Sequence, residues 1–420
     1  MKGYFNTDKG IGIIFDDIYL VNGKRTPFGK LCGTLSPLSP TDMGIIAANA
    51  ALKKTGISPQ NIHQVVAANI GQASADAYFL PRHIALYSGI PTHVPALMVQ
   101  KICGSGLETI ITAAEQIILN KAENVLCVGT ESMSQMPTSA FGNRLGYPLG
   151  KPNFVDMLWE SLMDTAAGFS MGQTAENVAK KFNISRKECD EFALSSFEKT
   201  DNAIKNGFFQ NEIEPILPEL IFEREGLQTK KIKFKISEPF NKDEHFKATS
   251  LEKLSKLPPV FYSDGVQTAG NSSGMVDGAA AIIVSNKKQI QENNYKPLAK
   301  IVAAASAGVN PKYMGLGPVP AIKYLLEITG LKLHDIGLIE INEAFAAQVL
   351  GCVKLLELDL TKLNIHGGAI AIGHPLGATG IRISLTLARS MRQYKLKYGI
   401  ASACIGGGQG TAILFENPEI

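Results

Sequence analysis

The chain lacks the features that mark several common classes of protein. Its six cysteines contain no Cys-x-x-Cys pair, so neither a zinc ribbon nor a thioredoxin-like motif is present, and no metal site is expected. No apolar run reaches the roughly 20 residues that a membrane-spanning helix needs. A Gly-x-x-x-x-Gly-Lys-Ser/Thr phosphate loop and a strand-to-helix Gly-x-Gly-x-x-Gly fingerprint are also missing. Nucleotide hydrolysis and hydride transfer are therefore not expected.

Charge of one sign is not in excess either. Lys and Arg number 41 and Asp and Glu number 38, and no arginine-rich stripe with interleaved aromatic residues is found. Neither nucleic acid nor a membrane is therefore expected as a partner. The first residues form no apolar leader, and Asp16 and Asp17 are unlike an arginine-rich transit peptide. Together with the unpaired cysteines, these absences predict a cytoplasmic location.

What the chain has is enough apolar sequence for a large core: 45% of its 420 residues are hydrophobic. Apolar runs alternate with amphipathic stretches in the first third and again after about residue 278, which predicts an α/β fold with a mostly parallel sheet. The predicted strands are Ile18–Val21, Val65–Ile70, Val125–Val128, Ala279–Val284, Lys300–Ala305, Leu338–Ile341 and Gly399–Ala403. The predicted helices are Thr41–Lys54, Gly106–Leu119, Pro318–Ile328, Glu343–Leu355 and Ile381–Met391.

The middle of the chain differs from both flanks. Residues 132–275 hold polar and charged stretches and a helical block, Ala175–Asn206, and are predicted to be a large insertion. An N-terminal half, 1–131, would be completed by about 276–295, and a C-terminal half would span 296–420. In each half a reactive residue precedes a glycine-rich helix start and then a strand. This order suggests a duplication, which the sequence alone leaves open because the halves share little identity.

Two of these reactive residues are Cys103 and His374. Cys103 lies in Lys101-Ile-Cys-Gly-Ser-Gly106, at a predicted strand-to-helix junction whose free N–H groups favour a thiolate. The alternative is that it is a small buried hydrophobic residue. His374 lies between Gly373 and Pro375 and could take the thiol proton as a general base.

The other two are Asn342 and Cys404. Asn342 follows a hydrophobic strand, at the strand end where α/β sites gather, although it could equally cap the helix Glu343–Leu355. Cys404 ends a strand and precedes the glycine run that contains Gly406, which offers backbone N–H donors or marks only a turn. Together the four residues form a Cys/Cys/His/Asn set beside N–H groups that could face a reacting oxygen.

Eight segments of the chain, in order, resemble the thiolases, the acyl-CoA C-acyltransferases. They are Gly23–Gly29, Cys103–Gly106, Gly129–Ser134, Met171–Asn177, Thr268–Gly274, Asn342–Ala346, Gly373–Pro375 and Cys404–Gly408. The resemblance implies a five-layered αβαβα fold of two similar halves with an inserted loop domain that binds coenzyme A. It also implies a homo-oligomer, either a dimer or a tetramer.

The resemblance further implies a role for each reactive residue. Cys103 would hold the acyl group as a thioester and His374 would activate it. Cys404 would be the acid and base that exchanges a proton with the acetyl-CoA methyl group. Asn342 would hold a water that forms one oxyanion hole with His374, and the N–H groups of Cys103 and Gly406 would form the other.

Coenzyme A and its thioesters would be the substrates, without a prosthetic group. The resemblance points to Ser273 and Phe261 near the pantetheine and to Met171 on the wall of the site. Lys247, foremost of a basic segment with Lys230, Lys231, Lys233 and Lys235, could meet the nucleotide phosphates, although such a run is usually a solvated face.

The predicted reaction is 3-ketoacyl-CoA + CoA = acyl-CoA + acetyl-CoA, in either direction, as in fatty-acid β-oxidation. Two residues depart from the usual family pattern. Ser170 replaces a histidine that is typical of biosynthetic acetoacetyl-CoA thiolases, so the chain looks more like mitochondrial-type 3-ketoacyl-CoA thiolases. His366 replaces the asparagine of Asn-Gly-Gly, which puts a local hydrogen bond in doubt.

Two rival functions remain open. A ketoacyl synthase or hydroxymethylglutaryl-CoA synthase of the same superfold would generally lack the second cysteine, Cys404. A non-catalytic acyl-CoA-binding relative would be marked by loss of Cys103 or His374, and both are present.

Overall fold

The first part of the chain contributes strands to the main sheet and helices that cover it. The computed structural model describes residues 2–420, and up to residue 131 it contains six strands and three helices. These are β1 (Lys2–Asn6), β2 (Gly10–Arg25), β3 (Gly29–Lys30), α1 (Pro40–Thr55), β4 (Gln64–Ala68), α2 (Leu80–Tyr87), β5 (Ala96–Val99), α3 (Ser105–Ile118) and β6 (Asn124–Glu131).

The segment 132–275, called the insertion below, contains short strands and four helices. They are β7 (Thr138–Ser139), β8 (Val155–Asp156), α4 (Met157–Glu160), β9 (Met163–Asp164), β10 (Phe169–Ser170), α5 (Met171–Phe182), α6 (Arg186–Lys205), β11 (Glu219–Phe222), β12 (Lys230–Lys233) and α7 (Leu251–Ser255). The predicted helical block is two helices, because Asn183 ends α5 in the left-handed region at φ 49°. Ser185 and Glu188 then form a capping box that starts α6.

The last part of the chain returns to long strands and buried helices. They are β13 (Val276–Asn286), α8 (Lys287–Glu292), β14 (Ala299–Gly308), α9 (Pro318–Thr329), β15 (Leu338–Ile341), α10 (Ala346–Leu356), α11 (Ala369–Ile372), α12 (Leu376–Gln393), β16 (Tyr398–Ile405) and β17 (Gln409–Glu416). Helix α10 begins at Ala346, with Phe345 as its N-cap, so the alternative that Asn342 caps a helix is wrong.

The two halves have the same strand order. In one, β4, β6, β13 and β2 are neighbours in that order, and in the other β15, β16, β17 and β14. The first pair of each set is parallel and the next two pairs are antiparallel. In each set of four, only the third strand, β13 or β17, therefore runs opposite to the other three. The halves are joined where β2, which turns at Asp17 (φ 54°), pairs with β13 on one side and β14 on the other.

Helices and sheets alternate in five layers. Helices α3 and α12 contact each other and pack between the two halves of the continuous main sheet, where they form the central hydrophobic core. Helices α1 and α2 cover the outer face of one half of the sheet, and α9 and α10 cover the outer face of the other half. Among residues 2–420 there is no helix both long and apolar enough to span a bilayer.

Helices α3 and α12 touch backbone to backbone near their N-terminal ends. A Cβ added to Gly106 would lie 2.7 Å from the Gly380 nitrogen, and one added to Gly380 would lie 2.6 Å from the Gly106 carbonyl carbon. Side chains at these positions would force the helices apart. The two glycines thus bring together the two helix starts that follow Cys103 and His374.

We expect Gly380→Ala to destabilise the protein by about 1–3 kcal/mol, in spite of the better helix propensity of alanine, because backbone atoms cannot give way. Urea unfolding would measure the change. Gly308→Ala is the control, since a Cβ there would meet nothing closer than 4.0 Å. Equal unfolding free energies for the two variants would contradict the close crossing.

Candidate active site

Cys103 lies in a tight turn directly before α3. The turn, Ile102–Gly104, holds Ile102 at φ 44°, which is unfavourable for a β-branched residue. The Ser105 hydroxyl donates to the Ile102 carbonyl at 2.7 Å and accepts from the Lys101 N–H at 2.7 Å. These bonds hold the strained turn in place and keep the buried Cys103 thiol against Leu376 at the start of α12.

The Cys103 thiol is protonated at neutral pH. Burial raises its pKa to about 11, although the N–H groups of Gly406 and of Cys103 itself both donate toward the sulfur and act in the opposite direction. The sequence predicted a thiolate at a helix start, but desolvation outweighs the N–H groups. The thiol therefore needs a base before it can act as a nucleophile.

His374 is a neutral imidazole whose tautomer is set by its neighbour. The Thr379 hydroxyl donates to the Pro375 carbonyl at 3.1 Å, so it accepts from His374 Nδ1–H at 2.6 Å. The lone pair is then on Nε2, which faces Asn342 Nδ2 at 3.2 Å. Burial, with the positive charge of Arg382, lowers the pKa of His374 to about 3. The ring is therefore unprotonated throughout the physiological pH range.

Cys404 and Gly406 lie at the end of β16, beside Cys103. The Cys404 thiol is buried, and its pKa is raised well above the usual value by burial and, next, by the charge of an ionised Cys103. The two thiols are thus electrostatic neighbours. Met171 packs in the same cluster as Cys404, and its sulfur would be 3.1 Å from a Cβ on Gly406. Both thiols, Gly406 and Met171 therefore lie side by side.

Three residues predicted to bind coenzyme A lie in or next to the Cys404 cluster. Phe345, in the Cys404 cluster, meets the Phe261 ring edge to face at 5.9 Å between centroids. The Ser273 N–H donates to the Ala344 carbonyl at 3.0 Å. Phe261 thus touches the Cys404 cluster through Phe345 and Ser273 touches it through Ala344, while Met171 belongs to the cluster itself.

The basic segment is divided between two environments. Lys247 is exposed and forms no salt bridge within the described residues 2–420. Lys230 is already engaged, because its Nζ donates to Asp42 at 2.8 Å and lies 3.4 Å from Asp76. The positive charge of Lys230 is therefore already paired with carboxylates and is not free to bind a phosphate.

Sequence reasoning missed Glu131, which connects the two halves beneath the site. Its carboxylate accepts hydrogen bonds from the N–H groups of Gly71 at 2.8 Å and Gly377 at 3.1 Å. Burial raises its pKa to about 7. The residue was visible in the Gly129–Ser134 motif, at the end of a strand, but nothing in the sequence links it to the start of α12.

The two departures from the family pattern have structural explanations. Ser170 accepts from the Gln173 N–H at 3.3 Å and, with the Gln173 side chain, forms the capping box of α5. His366 stacks on Phe208 with 3.6 Å between ring centroids, and its Nε2 has no hydrogen-bond partner. Nε2 of His366 therefore does not supply the hydrogen bond in doubt at this position.

We expect the rate of alkylation of Cys103 by iodoacetamide to rise about tenfold per pH unit between about pH 6 and pH 9, because its thiol pKa lies near 11. Peptide mass spectrometry would measure the rate, in a Cys32→Ser background that removes the exposed cysteine. A rate that stays level over this range would indicate a thiolate–imidazolium pair in the resting protein and contradict the neutral pair.

Comparisons with known proteins agree with this geometry. Residues 18–288 match the model of the thiolase N-terminal domain, and residues 295–417 match that of the thiolase C-terminal domain. The chain is 44% identical to the mitochondrial 3-ketoacyl-CoA thiolase of Bos taurus, over 95% of this chain and 98% of that protein. It is 41% identical to the acetyl-CoA acetyltransferase of Cupriavidus necator, over 95% and 99% of the two chains.

The fold agrees as well. The crystal structure of human mitochondrial 3-ketoacyl-CoA thiolase in complex with CoA superposes with a TM-score of 0.89 at 43% identity, and covers 96% of this chain and 98% of that one. The predicted α/β fold of two similar halves is thereby confirmed.

One prediction is wrong. The relatives at 44% identity include thiolases named as mitochondrial, from cattle and from human, which contradicts the cytoplasmic location expected from the sequence. That expectation depended on a missing leader pattern and on unpaired cysteines, and neither absence identifies a compartment. The two domain matches, the identity over nearly the whole length and the shared fold agree on one conclusion: this chain belongs to the thiolase family.

Proposed function

We propose that this thiolase catalyses the reversible reaction 3-ketoacyl-CoA + CoA = acyl-CoA + acetyl-CoA, including acetoacetyl-CoA formation from two acetyl-CoA, through an S-acyl Cys103 intermediate. The observation that supports this most directly is the convergence of two N–H groups on the Cys103 sulfur beside a second buried thiol, Cys404. The related condensing synthases generally lack that second thiol, and a non-catalytic relative would not need it.

In the cleavage direction the first step breaks a C–C bond. His374 Nε2 takes the proton of the Cys103 thiol, and the sulfur attacks the 3-keto carbonyl carbon of the substrate. When the C2–C3 bond breaks, its electron pair stays on the acetyl-CoA fragment, which takes a proton from the Cys404 thiol and leaves. The acyl group remains on Cys103 as a thioester.

The second step returns the enzyme to its starting state. Cys404, now a thiolate, takes the thiol proton of an incoming CoA, whose sulfur attacks the acyl carbonyl. Cys103 leaves as a thiolate and regains its proton from His374, and acyl-CoA is released. Because the products leave one after the other, ping-pong kinetics are expected.

Negative charge develops on two different oxygens in these steps, so two sets of donors are needed. We assign one set to the N–H groups of Cys103 and Gly406, which already point at the sulfur to which the carbonyl bonds. We assign the other to His374 with a water on Asn342. The buried Oδ1 of Asn342 has no hydrogen-bond partner, which fits a water that donates to it.

Rates of thiolysis for a series of 3-ketoacyl-CoA substrates of increasing length test this function. Formation of acetyl-CoA with every substrate that reacts is the expected result, without any added prosthetic group. Failure to cleave any of them, acetoacetyl-CoA included, would leave only a binding role.

We further propose that the insertion is the loop domain that binds coenzyme A, with Met171, Phe261 and Ser273 along the pantetheine and Lys247 at the nucleotide phosphates. The path from Cys404 through Phe345 to Phe261 supports this direction. A solved relative was crystallised with CoA.

We expect Lys247→Ala to raise KM for CoA by about threefold to fivefold with kcat unchanged, because an exposed ion pair contributes at most about 1 kcal/mol. Steady-state kinetics would measure both constants. Lys242→Ala, an exposed lysine of the same segment, is the control. The same KM for CoA in both variants would contradict the proposal that Lys247 binds the nucleotide phosphates.

We also propose that the chain forms a homo-oligomer, either a dimer or a tetramer. Strand β5 lies at one end of the sheet, and its Leu97 is 38% exposed. Tyr78 and Phe79, next to the helix α2 that packs on β5, are 83% and 61% exposed. An open strand edge beside exposed aromatic rings is typical of a surface that pairs with another chain. Light scattering would give the number of chains.

A further inference from the structure

Helix α12, which follows His374, has no cap from its own part of the chain. Its N-cap is Pro375, whose side chain accepts no hydrogen bond, and the N–H of Gly377 in its first turn has no partner within the helix. That N–H donates instead to the Glu131 carboxylate at 3.1 Å, 246 residues away in the chain. A carboxylate at a helix start satisfies free N–H groups and is attracted by the helix dipole. Glu131 therefore caps α12 from the other half of the chain.

The same carboxylate holds the loop that follows β4. It accepts the N–H groups of Gly71 at 2.8 Å and Ile70 at 3.3 Å, and the side-chain amide of Asn69 at 3.1 Å. With Gly377, these partners of the fully buried carboxylate all donate N–H groups, and none of the groups can accept a proton. The site therefore fits the ionised form, because a protonated Glu131 would turn its O–H toward a donor and lose at least one of these bonds.

Both segments that Glu131 holds reach Cys103. Ile70 of the loop and Leu376 of α12 pack in the hydrophobic cluster around Cys103. The negative charge of Glu131 also acts on the thiol and raises its pKa. His374 stands two residues before Leu376, so a displacement of the start of α12 would displace the imidazole as well.

We propose that Glu131, in its ionised form, is a positioning residue for the proposed thiolase reaction: by capping α12 and holding the loop 69–71, it fixes His374 relative to the Cys103 thiol. The inference rests on the proposed function, in which His374 takes the thiol proton. Glu131 itself contacts no reacting atom and acts only through His374. Since proton transfer needs the two groups within hydrogen-bond reach, a small displacement of the imidazole would slow it.

Loss of the Glu131 charge should then slow the reaction. Burial raises the pKa of Glu131 to about 7, and the charge of Asp277 acts in the same direction. The carboxylate is therefore ionised above about pH 7 and becomes protonated as the pH falls below it. Cys103, with a pKa of about 11, and His374, with a pKa of about 3, keep their charge states near neutral pH. A loss of activity below about pH 7, called the acid limb below, is thus expected from Glu131.

Other charged groups lie on the elements packed around Glu131, and each has a partner of its own. They are Asp277 on β13, which accepts from Ser134, Arg382 on α12, which pairs with Glu340, and Asp42 on α1, which pairs with Lys230. Of these partners, Glu340 is also a buried glutamate, and burial raises its pKa to about 8. It lies on β15, in the other half of the chain from Glu131, so Glu340→Gln is the matched control.

Thiolysis of acetoacetyl-CoA by the full chain, measured from about pH 5.5 to pH 8.5, tests the proposal. Glu131→Gln keeps the shape but turns an amide group toward N–H donors. We expect kcat at about pH 8 to fall at least about tenfold, KM for CoA to change less than about twofold, and the acid limb to vanish. Glu131→Asp, which keeps the charge, and Glu340→Gln should both retain the acid limb. An acid limb that persists in Glu131→Gln, or that disappears from Glu340→Gln, would overturn the proposal.

Hydrogen–deuterium exchange of the native chain needs neither a substrate nor a folded variant. After correction for the intrinsic rate, the Gly71 and Gly377 amides should exchange at least about threefold faster at about pH 6 than at about pH 8, whereas Ile383, further along α12, should not change. Equal protection of Gly377 at both pH values would overturn the positioning role, whatever the chain catalyses. Faster exchange in a chain that cleaves no 3-ketoacyl-CoA would instead overturn the proposed function, and the catalytic consequence of Glu131 with it.

Discussion

Cys103→Ala is expected to abolish labelling of the protein by radiolabelled acetyl-CoA and to reduce thiolysis by about four orders of magnitude or more, the scale of losing a covalent nucleophile. Cys404→Ser is expected to accept the label and yet fail to make or break the C–C bond, because its serine hydroxyl is a far weaker acid than a thiol. Acyl transfer and Claisen chemistry would thus be separated into two measurements, label incorporation and turnover of acetoacetyl-CoA.

Cys32→Ser is the matched control for both variants, since Cys32 is exposed whereas the other five cysteines are buried. It should retain labelling and turnover. Stoichiometric label on Cys103→Ala would refute the nucleophile. Equal loss of both steps in Cys404→Ser would give that thiol a structural role.

The second large effect is expected at Arg25, where replacement by methionine should lower the free energy of unfolding by about 3–5 kcal/mol. Arg25 is fully buried at the end of β2 and makes two hydrogen bonds to Asp243, at 2.7 and 2.9 Å, and one to Glu212 at 3.3 Å. Both carboxylates belong to the insertion. The substitution would leave them buried without their cation.

Urea unfolding of Arg25→Met would measure this loss of unfolding free energy. Lys9→Met is the control, because it removes an ordinary exposed ion pair. Lys9 meets Glu327 at 2.6 Å, but both side chains are about half exposed, so less than about 1 kcal/mol is expected. The same small loss in both variants would show that the buried network does not hold the insertion to the core.

Much of the framework could be predicted from patterns along the chain. Strand β15 matches its prediction, α9 differs by one residue at one end and α1 by one residue at each end, because their apolar periods are long and clear. Helix α12 begins five residues earlier than predicted. Glycine disfavours helices, so Gly377 and Gly380 made the first turn of α12 look non-helical in the sequence. The close approach of α3 explains why glycine stands at Gly380.

Candidate reactive residues could also be chosen from the sequence, because each stands in a short motif. Their protonation states could not be predicted from the sequence. The sequence suggested a thiolate at Cys103, but its pKa depends on burial among residues from distant segments. Glu131 and Gly377 are 246 residues apart, and Lys230 is 188 residues from Asp42, so neither contact has a local signal. Long-range pairs of this kind are where a single sequence is least informative.

The crossing of α3 and α12 has one more consequence. The proposed nucleophile, Cys103, belongs to the first half of the chain and its proposed proton acceptor, His374, to the second, and the helices that follow them meet because Gly106 and Gly380 permit contact. A fragment made of one half would therefore possess a thiol without a base, or a base without a thiol. Catalytic competence is thus a property of docking between the halves, and turnover reports whether that docking has occurred.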